Sequence, residues 1–168
     1  MLAPTSTATT ILYVEDNPVN VLLAERILEL RPAVRLLAAN DGAAGLALAT
    51  TRQPDLIFLD LHLPDLGFEQ VLQLLQVGQD TRDIPVVVVS ADAMADDVAR
   101  LRAAGAVDYL TKPFDLRQFL ALIDMVMATA PTDRADRSEM HTDTRDVRIR
   151  ALITGLTDAI RPNWTQPV

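Results

Sequence analysis

The chain lacks the features that mark several classes of protein. Its 168 residues include no cysteine, so disulfides and thiolate metal sites are excluded. No apolar stretch approaches the roughly 20 residues needed to span a bilayer. The first ten residues contain neither a basic residue nor the long apolar run of a signal peptide. We therefore expect a soluble cytoplasmic protein with no membrane partner.

Lysine is almost absent as well. Of the fifteen basic residues, fourteen are arginines and only Lys112 is a lysine. It lies in Tyr-Leu-Thr-Lys-Pro-Phe (109–114), directly after a short apolar run. Lysine is a compact point charge on a flexible stem, whereas arginine is a planar, weakly hydrated fork. The exception indicates a site that needs a point charge.

Positive charge is scarce overall, and the net charge is −8. Residues 1–130 hold 17 acidic and 9 basic residues, whereas residues 131–168 hold 6 of each. No basic patch for nucleic acid is present, so we expect no nucleic-acid partner. An acidic body of this kind fits cation binding, although such a charge is also ordinary for solubility.

Five apolar runs predict strands, and most of them are continuous rather than alternating. The strong runs are 10–14, 56–59, 85–89 and 107–110, and a weaker run is 34–38. Continuous apolar strands are typical of a parallel sheet covered on both faces. Helical patterns follow the strands at about 18–30, 42–51, 67–77, 92–104 and 115–129. The alternation predicts an α/β fold with an open, doubly wound, five-stranded parallel sheet.

Two of these helical patterns carry apolar stripes with helical spacing. In the first helix the stripe consists of Val19, Leu22, Leu23 and Ile27. In the fifth helix it consists of Leu116, Phe119, Leu120, Ile123, Val126 and Met127.

The character of the chain changes after the first domain, which we assign to residues 1–130. Residues 131–146 are polar and without periodicity, which is typical of a linker. The tail, 147–168, contains a helical stripe formed by Ile149, Leu152, Ile153, Leu156 and Ile160. A lone amphipathic helix cannot bury such a stripe. It must dock on its own domain, pair with a second copy or meet another partner, and we expect a homodimer.

Polar or acidic residues follow four of the predicted strands. They are Glu15 and Asp16, Asp60, Ser90 and Lys112. In open α/β sheets, ligands bind at the carboxyl ends of the strands. Three carboxylates that meet there repel one another unless a hard cation such as Mg²⁺ lies among them. With a hydroxyl and an ammonium, they form a cradle for a transferred phosphoryl group.

Four motifs resemble the receiver domain of two-component response regulators. They are Ile-Leu-Tyr-Val-Glu-Asp-Asn (11–17), Leu-Ile-Phe-Leu-Asp-Leu-His-Leu-Pro (56–64), Val-Val-Val-Ser-Ala (87–91) and the segment 109–114. The resemblance covers roughly residues 9–129 and implies a flavodoxin-like fold of the receiver type. It implies that Asp60 is the phosphoacceptor, and that Glu15, Asp16, Asp60 and the His62 backbone carbonyl bind Mg²⁺.

The resemblance also assigns roles to residues of the last two strands. Ser90 and Lys112 would contact the phosphoryl oxygens, and Tyr109 would be a switch residue whose rotamer follows Ser90. The Lys112–Pro113 bond would be cis. One segment departs from the family pattern: residues 64–68 read Pro-Asp-Leu-Gly-Phe, so glycine comes one position early. We therefore expect a rebuilt turn after Asp60 and a different entry into the third helix.

The function that follows is a phosphorylation-dependent switch rather than an enzyme. A sensor histidine kinase or a histidine phosphotransfer protein would donate the phosphoryl group to Asp60. The chain would act as a single-domain regulator or phosphorelay carrier. The alternatives are a pseudo-receiver that binds partners without phosphorylation, and the receiver fragment of a hybrid histidine kinase. An aspartate-nucleophile phosphatase is a further alternative, but such enzymes usually carry a second Asp at the position of His62.

Overall fold

The computed structural model describes residues 8–91 and 95–129. These residues form alternating strands and helices, as the sequence predicts. The linker predicted over 131–146 and the tail helix predicted within 147–168 lie outside the described residues.

Five parallel strands form one sheet, which confirms the predicted fold class. They are β1 (Thr9–Val14), β2 (Val34–Ala39), β3 (Leu56–Asp60), β4 (Val86–Ser90) and β5 (Asp108–Thr111). Their order across the sheet is β2-β1-β3-β4-β5. The continuous apolar runs β1, β3 and β4 form the centre and are buried along their whole length. The mixed runs β2 and β5 form the edges, where one side of each strand stays open.

Helices cover both faces of this sheet. They are α1 (Pro18–Leu28), α2 (Gly42–Arg52), α3 (Phe68–Val77), α4 (Ala95–Ala103) and α5 (Leu116–Thr129). The first two begin at side-chain caps: Asn17 accepts from the Val19 N–H and Asp41 from the Ala44 N–H. Within the described ranges, no helix has the length and apolar character that a membrane crossing requires.

The sheet separates two apolar cores, because successive side chains on a strand point to opposite faces. Ile11 and Tyr13 contribute to the core beneath α1 and α5. Leu12 and Val14 contribute to the core on the other face, where residues of α2, α3 and α4 pack. On α5, the predicted stripe supplies three of the four buried side chains, Phe119, Ile123 and Val126. The fourth, Leu122, was not predicted, and the first stripe member, Leu116, is 47% exposed.

Three of the four members of the apolar stripe of α1 do not face the core, and only Ile27 is partly buried against it. Val19, Leu22 and Leu23 are 68%, 50% and 41% exposed, and the buried residues of this helix are Ala24 and Leu28. The periodicity therefore identifies residues that share a face, but that face is turned away from the sheet.

The early glycine of the 64–68 segment does not adopt a special backbone conformation. Gly67 is the N-cap of α3 with φ −66°, and an added Cβ there would meet no atom within 4 Å. Phe68 is buried at the start of α3, beneath the Arg100 guanidinium. Asp65 accepts hydrogen bonds from the Gly42 and Ala43 N–H groups, so the loop after β3 caps α2. The loop after β3 is thus hydrogen-bonded to the start of α2 and leads into α3 at Gly67.

Candidate functional site

The five residues predicted from the strand ends come together at the carboxyl edge of the sheet. Glu15 and Asp16 follow β1, Asp60 and Ser90 end β3 and β4, and Lys112 follows β5. Parallel strands carry their carboxyl ends to one edge, which explains the convergence. Glu15, Asp60 and Ser90 are buried, whereas Asp16 is exposed.

The Lys112 ammonium lies between two of the carboxylates. Its Nζ is 2.6 Å from Glu15 Oε2 and 3.1 Å from Asp60 Oδ1. The Lys112 side chain is 18% exposed, and the carboxylates are 1% and 6% exposed. A backbone hydrogen bond from Lys112 N to the Ser90 carbonyl, at 2.8 Å, fixes the chain at this point. The peptide bond from Lys112 to Pro113 is cis, as the resemblance predicts.

Glu15 receives three further hydrogen bonds that the sequence analysis missed. The Tyr13 hydroxyl donates to Oε2 at 2.9 Å, and the Asn20 amide donates to the same oxygen at 3.1 Å. The Asn17 backbone N–H donates to Oε1 at 3.0 Å. Tyr13 precedes Glu15 by two residues along the chain, so strand periodicity was the available signal. The Asn20 contact depends on the angle at which α1 follows β1, and the sequence holds no comparable signal for that angle.

The pKa values of the buried groups follow from this geometry. Burial alone would raise the pKa of Glu15, but hydrogen bonds from Lys112, Asn17 and Tyr13 outweigh it and lower that pKa. Burial raises the pKa of Asp60, and the charge of Glu15 adds to the rise, against the opposing effect of Lys112. Burial would lower the pKa of Lys112, yet its two carboxylate partners hold that pKa above its ordinary value. The deeper carboxylate, Glu15, is thus the better stabilised anion.

The carboxylates of Glu15, Asp16 and Asp60 fit a hard divalent cation. One oxygen from each lies within 4.8 Å of the others. Three carboxylate oxygens are the ligand type that Mg²⁺ prefers. The fourth predicted contributor, His62, has an exposed side chain, and its N–H lies 3.4 Å from Asp60 Oδ1. The role of the His62 backbone carbonyl as a Mg²⁺ ligand remains a prediction.

The two predicted switch residues lie on the adjacent strands β4 and β5, two positions apart in the register. Ser90 is buried at the end of β4 and pairs in register with Thr111. Tyr109 pairs with Val88 on the adjacent strands and is half-buried against the core on the α4 side. The structure places both residues near Lys112 in the sheet, and their switching role stays a prediction.

A five-stranded doubly wound sheet with acidic residues and a lysine at its carboxyl edge defines an open α/β domain with a ligand site at its strand ends. Residues 11–124 match the family model of the response regulator receiver domain. The chain belongs to that family. Proteins of this family are signalling proteins rather than conventional enzymes, and their receiver domains interact with histidine kinases or phosphotransfer proteins.

Named relatives agree with this membership. The chain is 32% identical over 120 residues to the polar-differentiation response regulator DivK of Brucella ovis, covering 71% of this chain and 97% of DivK. It is 38% identical over 133 residues to the DNA-binding dual master transcriptional regulator RpaA of Synechocystis, covering 79% of this chain and 54% of RpaA. The chain thus spans about half the length of RpaA.

A solved structure resembles the described fold. It is the receiver domain of the sensor histidine kinase PA1611 from Pseudomonas aeruginosa, with a magnesium ion coordinated in its active-site cleft. The TM-score is 0.65 at 28% identity, covering 72% of this chain and 98% of that one.

Proposed function

We propose that this chain is a response regulator whose Asp60 accepts a phosphoryl group from a phosphohistidine. The observation that carries the proposal is the place of Asp60, which ends a central strand within the acidic cluster, 3.1 Å from the Lys112 ammonium. The donor would be a sensor histidine kinase or a histidine phosphotransfer protein. The proposed reaction needs no further co-substrate.

In the proposed transfer, an Asp60 carboxylate oxygen attacks the phosphorus of the phosphohistidine. An oxygen–phosphorus bond forms while the nitrogen–phosphorus bond breaks, and the electron pair of that bond returns to the imidazole. The attack requires ionised Asp60. Its pKa is raised by burial and by Glu15, and the nearby Lys112 opposes that rise.

Glu15, Asp16, Asp60 and the His62 carbonyl would hold Mg²⁺ in this proposal. The bound ion would offset the negative charge that gathers on the phosphoryl oxygens. The Ser90 hydroxyl would donate a hydrogen bond to one of those oxygens. Lys112, already within reach of Asp60, would donate to another.

The new charge on Asp60 would act as a switch. Ser90 and Lys112 would move toward the phosphoryl group, and the surface of α4, β5 and α5 would respond, with Tyr109 reporting the state. The match with DivK spans 97% of that relative, which supports a single-domain regulator or phosphorelay carrier over residues 1–130. The match with the receiver of a sensor histidine kinase supports the alternative of a hybrid-kinase receiver.

Further predictions from the sequence are kept as proposals. They are the cytoplasmic location, the linker at 131–146 and the tail at 147–168, whereas the expected homodimer through the tail helix gives way to the intramolecular contact proposed below. DNA binding is a property of RpaA, and we do not extend it to this chain.

The test is the intact mass of the protein after incubation with Mg²⁺ and acetyl phosphate, a small phosphodonor. We expect one phosphoryl group on the wild type and none on Asp60→Asn. Asp80→Asn is the matched control, because Asp80 is an exposed acidic residue in the loop before β4, at the opposite edge of the sheet. Unchanged phosphorylation of Asp60→Asn would contradict the assignment. Absence of phosphorylation in the wild type would favour the pseudo-receiver.

A further inference from the structure

The exposed apolar residues are concentrated on one side of the described molecule. Seven large apolar side chains are exposed among the described residues. Val19, Leu22 and Leu23 lie on α1, Leu30 follows it, and Leu116 begins α5. The remaining two lie on α3. We call Val19, Leu22 and Leu23 the α1 face.

The chain leaves the described fold near the carboxyl end of the helix that carries this face. Arg31, just after α1, forms a two-pronged ion pair with Asp124 of α5, at 2.5 and 2.8 Å. The two helices therefore lie side by side, with the end of α1 next to the second half of α5. The last described residue, Thr129, follows Asp124 by five residues, which is about 7.5 Å along a helix. The segment after Thr129 thus starts next to the carboxyl end of α1.

The spacing of the sequence lets the tail stripe reach the α1 face. Nineteen residues separate Thr129 from Ile149, the first member of the stripe. A coil of this length spans about 22–26 Å on average. The helix α1 has 11 residues and is therefore about 16 Å long. The whole α1 face lies within reach without an extended connection.

Charge favours the same contact. Residues 147–161 contain three arginines and one aspartate, a net charge of +2. The exposed side chains of residues 16–30 include three acidic groups and one basic group, a net charge of −2. A segment that is apolar on one face and cationic at its edges complements an apolar helix face with acidic neighbours.

We propose that residues 147–161 form a helix whose apolar stripe docks on the α1 face of the same chain. A second copy would offer the same face, but only at its bulk concentration. A tethered segment meets its own α1 at an effective concentration in the millimolar range. The cis contact is therefore favoured at the micromolar concentrations of ordinary solution experiments.

The absence of cysteine permits a direct test, because two introduced cysteines are then the only thiols. The full chain carrying Leu22→Cys and Ile153→Cys is oxidised at micromolar concentration with copper phenanthroline. We expect a disulfide within the monomer, read on non-reducing gels and by peptide mass. The control pairs Ile153→Cys with Val77→Cys, since Val77 lies on α3 and is 73% exposed. We expect at least fivefold less intramolecular disulfide from the control pair.

Each other outcome overturns the proposal. A disulfide that joins two chains would assign the α1 face to a second copy. Equal yields from the two pairs would show that the tail has no preferred site, and no disulfide would show that it does not reach α1.

Because Leu22→Cys alters the face itself, hydrogen exchange of full-length Ile153→Asp provides a second measurement. We expect amide exchange in α1 to rise at least threefold over wild type, with α3 unchanged, and equal exchange in α1 would contradict docking.

Discussion

At the scale of single residues, the site is organised around an ammonium shared by two buried carboxylates. Lys112 Nζ contacts Glu15 and Asp60 at 2.6 and 3.1 Å. A buried charge is tolerated only when it is paired and hydrogen-bonded. The arrangement therefore requires a small cation that fits between two oxygens, and this requirement explains the one lysine in an arginine-rich chain.

The variant Lys112→Arg tests whether charge alone is sufficient. The guanidinium is planar and broader than an ammonium, so it cannot occupy the same place between Glu15 and Asp60. We expect the rate of phosphorylation by acetyl phosphate to fall at least tenfold, measured by intact mass over time. Arg117→Lys is the matched control, because Arg117 is exposed on α5. A wild-type rate in Lys112→Arg would refute the argument from the lysine.

The sequence predicted the charged members of the site but not their supporting contacts. Glu15, Asp60 and Lys112 could be identified because each follows an apolar strand run, and parallel strand ends must converge. The hydrogen bond from Tyr13 to Glu15 had only the two-residue strand period as a signal. The bond from Asn20 had none, because it depends on the entry angle of α1. Tyrosine in a strand run is indistinguishable from ordinary core packing by composition alone.

At the scale of elements, the fit of α2 against β1 depends on a missing side chain. An added Cβ on Gly45 would lie 2.7 Å from one methyl of Val14 and 3.0 Å from the other. Val14 is buried and directly precedes Glu15. The close approach of this helix therefore packs the strand that positions the first acidic residue of the site.

We expect Gly45→Ala to destabilise the fold by about 1–2 kcal/mol. Alanine improves helix propensity by up to about 1 kcal/mol, but overpacking a core costs about 1–3 kcal/mol. The measurement is urea unfolding at fixed temperature. Gly67→Ala is the control, and we expect a change within about 0.5 kcal/mol, since its added Cβ meets no atom.

A double variant identifies the cause of that loss. Val14→Ala removes the two methyls that the new Cβ would strike, so the losses of Gly45→Ala and Val14→Ala will not add. We expect the double variant to be more stable than the sum of the single variants by about 1 kcal/mol or more. Strict additivity would show that the overlap with Val14 is not the cause.

Element boundaries were predictable, but the direction of one helix face was not. The three central strands lie within one residue of their predicted bounds, because continuous apolar runs mark buried strands clearly. Helix α4 was predicted at about 92–104 and is described over Ala95–Ala103. For α1, periodicity correctly groups Val19, Leu22 and Leu23 on one face. The buried residues of the helix are Ala24 and Leu28, which lie on another face. Hydrophobic periodicity identifies residues that share a helix face, but it does not identify the partner that covers this face.

At the scale of the whole molecule, the net charge is −8, and the site itself is also negative because it contains three carboxylates and one ammonium. The Lys112 charge offsets one of the two negative charges of Glu15 and Asp60, and Asp16 adds a further, exposed carboxylate to the cluster. Like charges this close destabilise one another in the absence of a cation. A cation that binds the folded cluster and not the unfolded chain must therefore raise stability.

We expect Asp16→Asn to change thermal stability in opposite ways with and without metal. Mg²⁺ at about 100 times its Kd should add about 2.7 kcal/mol to the free energy of unfolding of the wild type, and should raise Tm by several degrees. Asp16→Asn removes one repelling charge, so its Tm in chelator should equal or exceed that of wild type, whereas its rise with Mg²⁺ should be mostly lost. Asp80→Asn should retain the full rise. Thermal unfolding of the three proteins in chelator and in millimolar Mg²⁺ is the measurement. A rise of equal size in Asp16→Asn and wild type would place the ion elsewhere, and no rise in wild type would remove Mg²⁺ from the proposed chemistry.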